Sequence, residues 1–184
     1  MTTPNEYDSL ILDSTKLQTF CACPRKYFFN YDLNWVQDSP SIHLEFGVAW
    51  HSALEYLYRH GITMANIPAA YQEFITHYRK HFRPETDSIY TKNPQKAQLA
   101  LISYVERYEH LQEGWEVLQL ETAGRCTLAP DVHQVYKMDA VVKKPDGTVW
   151  VIDHKTASKH TSSLDDSWNT SIQMWTYLHA AREM

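Results

Sequence analysis

Asp139, Asp153 and Lys155 are the residues whose types and spacing carry chemistry. Asp139 lies in one strand-like run, Asp153 closes the next, and Lys155 follows Asp153 by two residues. Side chains two apart in a strand share a face, so Asp153 and Lys155 are expected to point the same way. Asp139 joins them if the hairpin register pairs the strand ends. Two carboxylates close together repel, and need a proton or a cation between them. Oxygen ligands of that kind suit Mg²⁺ or Mn²⁺. Such a metal lowers the pKa of its water and stabilises charge on a phosphoryl oxygen, and a neighbouring lysine orients that water or neutralises the developing charge. This is equipment for cutting a phosphodiester with water. Asp-X-Lys at a strand end is also common on solvated surfaces. The preceding run, Thr148 to Ile152, is nearly continuous and apolar and reads as a buried central strand, which favours the chemical reading.

The elements that must position these residues come in a simple order. Ser14 is the expected N-cap of a helix carrying Leu17, Phe20 and Cys21, interrupted at Pro24. An aromatic run from Tyr27 to Tyr31 follows and is read as core rather than as a base-stacking platform. Val48, His51, Leu54 and Tyr58 recur at three- and four-residue steps, predicting a helix over Leu44 to Arg59 that ends near Gly61. Pro68 opens another helix, and a fourth starts near Pro94. At Gly114 the period changes: Glu116 to Glu121 and Cys126 to Leu128 look extended. Two strand-like runs, Val135 to Val142 and Thr148 to Ile152, flank Pro145-Asp146-Gly147, a hairpin signal. From Leu164 the helical period returns through Ile172, Trp175 and Leu178. Without repeat or linker, residues 1–184 are expected to form one α/β (α+β) domain, with 1–113 mainly helical and 114–184 the sheet core and closing helix.

Composition bounds the function. A hydrophobic fraction of 43% and a charged fraction of 21% exclude a disordered tail, a fibre and a low-complexity linker. No apolar run is long enough to cross a bilayer. Met1 to Ser9 is polar and acidic, so no secretory leader is expected and the chain is read as cytoplasmic. Three cysteines make no disulfide framework. Lys and Arg number 17 against 22 Asp and Glu, so any grip on nucleic acid must come from a local basic patch or a bound metal. The ten histidines are scattered, without the compact spacing of a zinc site, and the five glycines form no phosphate-cradling loop.

Taken in order along the chain, five segments resemble the motifs of the PD-(D/E)XK nuclease superfamily, in particular its RecB-type branch of recombination, CRISPR-adaptation and phage-encoded nucleases. Ser14 through Cys23-Pro24-Arg25-Lys26-Tyr27-Phe28 is similar to the opening helix and its Cys-Pro-Arg-Lys-aromatic turn. Gly47 to His51 resembles the Gly-X-X-X-His motif, and Tyr136-Lys137-Met138-Asp139 the Gly-Arg-Ile-Asp strand, with tyrosine and lysine replacing glycine and arginine. Val151 to Thr156 resembles the Asp-X-Lys strand, and Gln173 to Tyr177 the Gln-X-X-X-Tyr helix.

The resemblance implies a restriction-endonuclease-like core, a small mixed sheet flanked by helices. His51, Asp139 and Asp153 would be ligands of Mg²⁺ or Mn²⁺, with the backbone carbonyl of His154 completing the set and Lys155 the catalytic lysine. Gln173 and Tyr177 would hold DNA or brace the site. Glu121 is left outside the ligand set, facing the metal at most through water. Many relatives carry an iron–sulfur cluster; Cys23 matches its early cysteine, but Cys21 and Cys126 do not supply the other three, so no cluster is expected in this chain. The expected activity is a metal-dependent exonuclease on DNA ends or single strands, in recombination, repair or processing, with possible protein partners in a larger complex. The alternative is a catalytically inactive nuclease-like module that binds DNA or a partner protein.

Overall fold

The computed structural model describes residues 10–157, 168 and 170–183, so the expected helical onset at Leu164 lies outside the described residues. The element order is β1 (Leu10–Asp13), α1 (Ser14–Ala22), α2 (Pro24–Tyr27), a π-helical turn (Phe28–Asp32), α3 (Ile42–His60), α4 (Ile67–Tyr78), α5 (Pro94–Tyr108), β2 (Glu116–Ala129), β3 (Val132–Lys143), β4 (Val149–Ile152) and α6 (Ile172–Glu183). The chain divides into two compact units. One comprises Met1–Gln37, Thr122–Met138 and His160–Met184, and the other Asp38–Glu121 and Asp139–Lys159. Together the strands make a small mixed sheet of four, and the fold is mixed α/β, as expected.

In the first unit the short strand β1, which the polar start of the chain did not announce, pairs in parallel with β3 from Leu10↔Val132 to Asp13↔Val135. Asp13, not Ser14, caps α1: its carboxylate accepts from the Lys16 backbone N–H at 2.7 Å. An acceptor one residue earlier reaches the third free N–H of the helix, the usual N-cap geometry. The aromatic run is not core. No residue of α2 or the π-helical turn is buried. Its rings pack on one another instead, Tyr27 on Phe20 and Tyr31, and Phe29 on Trp35 at 4.9 Å between centroids. Helix α6 is fastened to β3 by polar side chains: Gln134 Nε2 donates to Thr176 Oγ1 at 2.5 Å, and the Tyr177 hydroxyl donates to the Lys137 carbonyl. Tyr136, standing where the resembled motif has glycine, has room because its partner across the sheet is Gly124, whose missing Cβ would collide with the tyrosine ring.

The second unit is built on three helices. Phe46, Ala49, Trp50, Ala53, Leu54 and Leu57 of α3 form a buried stripe at three- and four-residue steps. It packs against Phe74 and Tyr78 of α4 and Leu101 and Val105 of α5. The start of α5 is capped by Asn93, whose side chain accepts from the Lys96 N–H at 3.0 Å, with Pro94 supplying the preset first position. Gly61 ends α3 at φ 105, a conformation that favours glycine. Beyond the helices, the end of β3 pairs antiparallel with β4, from Ala140↔Ile152 to Lys143↔Val149.

The turn between them is held by Asp146, which accepts from the Thr148 N–H at 2.9 Å and hydroxyl at 2.6 Å, with Gly147 at φ 84. Strand β4, however, is not a buried central strand. Its only described partner is β3, and Val149 and Trp150 are about half exposed, at 54% and 49%. The apolar run is accounted for locally: the Lys144 ammonium sits 3.5 Å from the centre of the Trp150 ring, with Trp115 alongside.

Candidate functional site

The site assembles where the end of β3 meets α3, and every residue considered first lies in the second unit. Tyr58 of α3 packs with Ala140 and Val142 of β3. His51 lies seven residues before Tyr58, two helical turns, and so on the same helix face. With Tyr58 docked, His51 reaches β3 at Asp139: Nδ1 is 3.1 Å from Oδ1. The hairpin register carried one step beyond Ala140↔Ile152 sets Asp139 opposite Asp153. The backbone closes that gap, the His154 N–H donating to Asp139 Oδ2 at 2.6 Å. Lys155 Nζ is 2.7 Å from Asp153 Oδ2, so the two side chains converge as the spacing predicts, although β4 itself stops at Ile152.

Glu121 is the residue that spacing undervalued. One ligand atom each of His51, Glu121 and Asp139 lies within 4.8 Å of the others. Asp153, expected in the ligand set, is not in that group; its carboxylate is engaged by Lys155 instead. Glu121 sits inside the long strand β2 with φ 48, the left-handed region that a glutamate rarely occupies. Such a conformation costs on the order of 1–3 kcal/mol and persists only where the surroundings impose it. A residue twisted out of the regular pleat no longer obeys strand alternation, and no period in the sequence signals that.

Electrostatics follow from burial and pairing. Burial opposes charge on His51, but its hydrogen bond to Asp139 and the fields of Asp139, Glu121 and Asp153 leave its pKa above the ordinary histidine value. Burial also opposes ionisation of Asp139, yet the bonds from His51 and the His154 N–H hold its carboxyl below the usual range. For Asp153, whose side chain is only 3% exposed, burial wins: its pKa is raised although Lys155 pulls it down. The imidazole of His154 is packed among Tyr58, Tyr104 and His51, with Nε2 finding no hydrogen-bond partner among the described residues. Burial lowers its pKa to about 4.

Three carboxylates, two imidazoles and one lysine thus crowd a partly dry region, with Asp139 itself raising the pKa of Asp153. That excess of oxygen donors and negative charge fits a hard divalent cation.

Gln173 and Tyr177 lie in the first unit. One turn apart on α6, they bond to each other, Gln173 Nε2 donating to Tyr177 Oη at 2.6 Å, and Tyr177 is buried against the β3 backbone at Lys137. Of the cysteines, Cys21 and Cys23 are exposed and Cys126 is buried, its thiol donating to the Gln134 carbonyl. No described helix is long and apolar enough to cross a membrane.

The fold is mixed α/β, with an acidic and histidine-bearing group at the open end of a strand hairpin. A scan against protein-family models matches residues 14–184 to the PD-(D/E)XK nuclease superfamily, and the chain belongs to it. That superfamily is one of nucleases, hydrolases of phosphodiester bonds that typically use divalent metals. The comparison with curated proteins finds no match.

Glu121→Gln is expected to weaken Mn²⁺ binding by about tenfold, the scale seen when a residue supporting a metal site is lost. Calorimetric titration of Mn²⁺ into parent and variant reads this directly, and equal affinities would remove Glu121 from the site.

Proposed function

We propose that the protein is a metal-dependent deoxyribonuclease of the RecB-type branch, an exonuclease acting on DNA ends or single strands in recombination, repair or processing. The observation that carries this reading is the convergence of His51, Glu121 and Asp139 beside the Asp153–Lys155 pair. His51, Asp139, Asp153 and the His154 carbonyl are the proposed Mg²⁺ or Mn²⁺ ligands, with Glu121 added to them. When bound, the ion supplies a more acidic water and a positive charge beside the phosphoryl oxygens.

The chain's own groups do the rest. Asp139 is held ionised by His51 and the His154 N–H, so it presents a fixed negative charge at neutral pH. Lys155 offsets the charge of Asp153 against the burial that raises its pKa, and the partly exposed ammonium can donate to a phosphate oxygen or orient the attacking water. His51 must give up any proton before its Nδ1 can act as a donor atom, so Asp139 both positions the ring and competes for it. Gln173 and Tyr177 are proposed to hold the DNA or to brace β3. An acidic chain can do this because metal and local lysines offset phosphate charge only where contact occurs.

End-labelled linear DNA and covalently closed circles, each incubated with Mg²⁺ or Mn²⁺, test the reading beside an Asp153→Ala variant. The expected result is release of the end label from linear DNA, sparing of circles, and loss of cleavage in the variant. Cutting of circles would replace exonuclease by endonuclease action. Binding of DNA with no cleavage in either metal would establish the alternative, an inactive nuclease-like module.

A further inference from the structure

A cleft of about 360 Å³ opens beside Lys155 and Thr156. Phe46 and Trp50 of α3, both buried, line it together with Lys92 and Lys96. Three lysines therefore meet at one cavity from the loop before α5, the first turn of α5 and the segment after β4. None of the described residues lining it is acidic, in a chain whose net charge is −5. The region runs against the charge of the whole.

The lysines are not equivalent. Lys155 has its counter-charge in Asp153. Lys92 is partly buried, and its ammonium meets neutral groups: the Thr156 carbonyl at 3.2 Å, the Thr156 hydroxyl at 3.1 Å and the face of Phe46 at 5.5 Å. Burial accordingly holds its pKa below the ordinary lysine value. Lys96 is exposed and makes no ion pair among the described residues. An ammonium drawn partly out of water without an anion is costly. Low-dielectric walls such as Phe46 and Trp50 strengthen its attraction for any anion that enters. The volume lies at the small end of ligand pockets, about 300–1,000 Å³, room for roughly one nucleotide unit.

Resting on the nuclease reading, we infer that this cleft binds the phosphate next to the scissile one on the substrate strand, with Lys92 and Lys96 as its counter-charges. Lys155 then stands at the junction, touching Asp153 on one side and the cleft on the other. Contacts of this kind fix register on a strand without reading its sequence.

The test is fluorescence anisotropy of a labelled single-stranded 12-mer oligonucleotide, titrated with the full chain in EDTA at several salt concentrations. Lys92→Gln and Lys96→Gln are expected to weaken binding about five- to tenfold each, alike for different sequences. Each should also flatten the dependence of log affinity on log salt by about 0.7, the single-strand value per phosphate contact. Lys92→Arg should restore affinity, which separates lost charge from lost folding. Lys80→Gln, an exposed lysine outside the cleft, should leave affinity and slope as in the parent.

If Lys92→Gln and Lys96→Gln match Lys80→Gln, the inference is overturned. Cleavage of the same oligonucleotide by the parent in Mg²⁺ or Mn²⁺ tests the underlying reading separately. A protein that cuts but ignores the two lysines keeps its nuclease assignment and loses this subsite. One that binds through the lysines without cutting keeps a phosphate-binding cleft but loses both the nuclease activity and the placement of that phosphate beside a scissile one.

Discussion

Lys155→Ala is expected to lower phosphodiester cleavage by about 10²–10³-fold, the loss typical for one group that stabilises developing charge. The same variant is expected to bind Mn²⁺ at least as tightly as the parent. The reason is local. Lys155 contacts Asp153 at 2.7 Å and is the cation that offsets a carboxylate only 3% exposed. Removing it leaves that carboxylate in want of positive charge, which a divalent ion can provide.

Asp139→Ala should behave in the opposite way on one axis and alike on the other. Cleavage is expected to fall steeply in both variants, but Asp139→Ala is also expected to lose Mn²⁺ binding, because Asp139 belongs to the convergent group and orients His51. Single-turnover cleavage of end-labelled DNA and calorimetric Mn²⁺ titration on both variants give the two axes. If Lys155→Ala weakens metal binding as much as Asp139→Ala does, the division of roles is wrong. Retention of cleavage by either variant would move the chemistry elsewhere.

Acidification from pH 7 to 4.5 is expected to remove about 2 kcal/mol of folding stability through His154 alone. Its folded-state pKa is lowered to about 4 by burial, from an ordinary value of 6.5. The unfolded chain therefore takes up a proton between these values that the folded chain refuses. Stability from this group is full above pH 6.5 and drains away as the pH falls towards 4. His51 and Asp153, with raised pKa values, work in the other direction over part of this range, whereas the lowered pKa of Asp139 matters only below the ordinary aspartate range.

The measurement is accordingly a difference. Urea unfolding of parent and His154→Phe at pH 7 and 4.5, in EDTA, should show a variant that loses about 2 kcal/mol less than the parent. Phenylalanine suits the aromatic surroundings of Tyr58 and Tyr104 and carries no proton. Equal acid sensitivity in the two proteins would mean that the His154 ring is solvated in solution.

Much of the site was legible in the chain before folding is considered. Asp139, Pro145-Asp146-Gly147, Asp153 and Lys155 belong to one hairpin, and its register follows from turn chemistry and alternation. His51 was legible as a face of α3, through the same helical steps that place Trp50, Leu54 and Tyr58. Gln173 and Tyr177 were legible as one turn of one helix. In each case the deciding interaction spans a few residues, so the backbone period controls it.

Other features belong to the packed chain alone. Strand β4 reads as buried from its apolar run, but Lys144 and Trp115 cover Trp150 at a sheet edge. The aromatic run after Pro24 reads as core but packs on itself. Glu121 enters the site through a left-handed twist, His154 becomes a dry imidazole between helices, and Lys92 meets Thr156 sixty-four residues away. Periodicity governs which way a side chain leaves its own helix or strand. Which distant side chain, charge or cavity it then meets depends on how the elements dock, and docking is chosen by packing over the whole surface of each element.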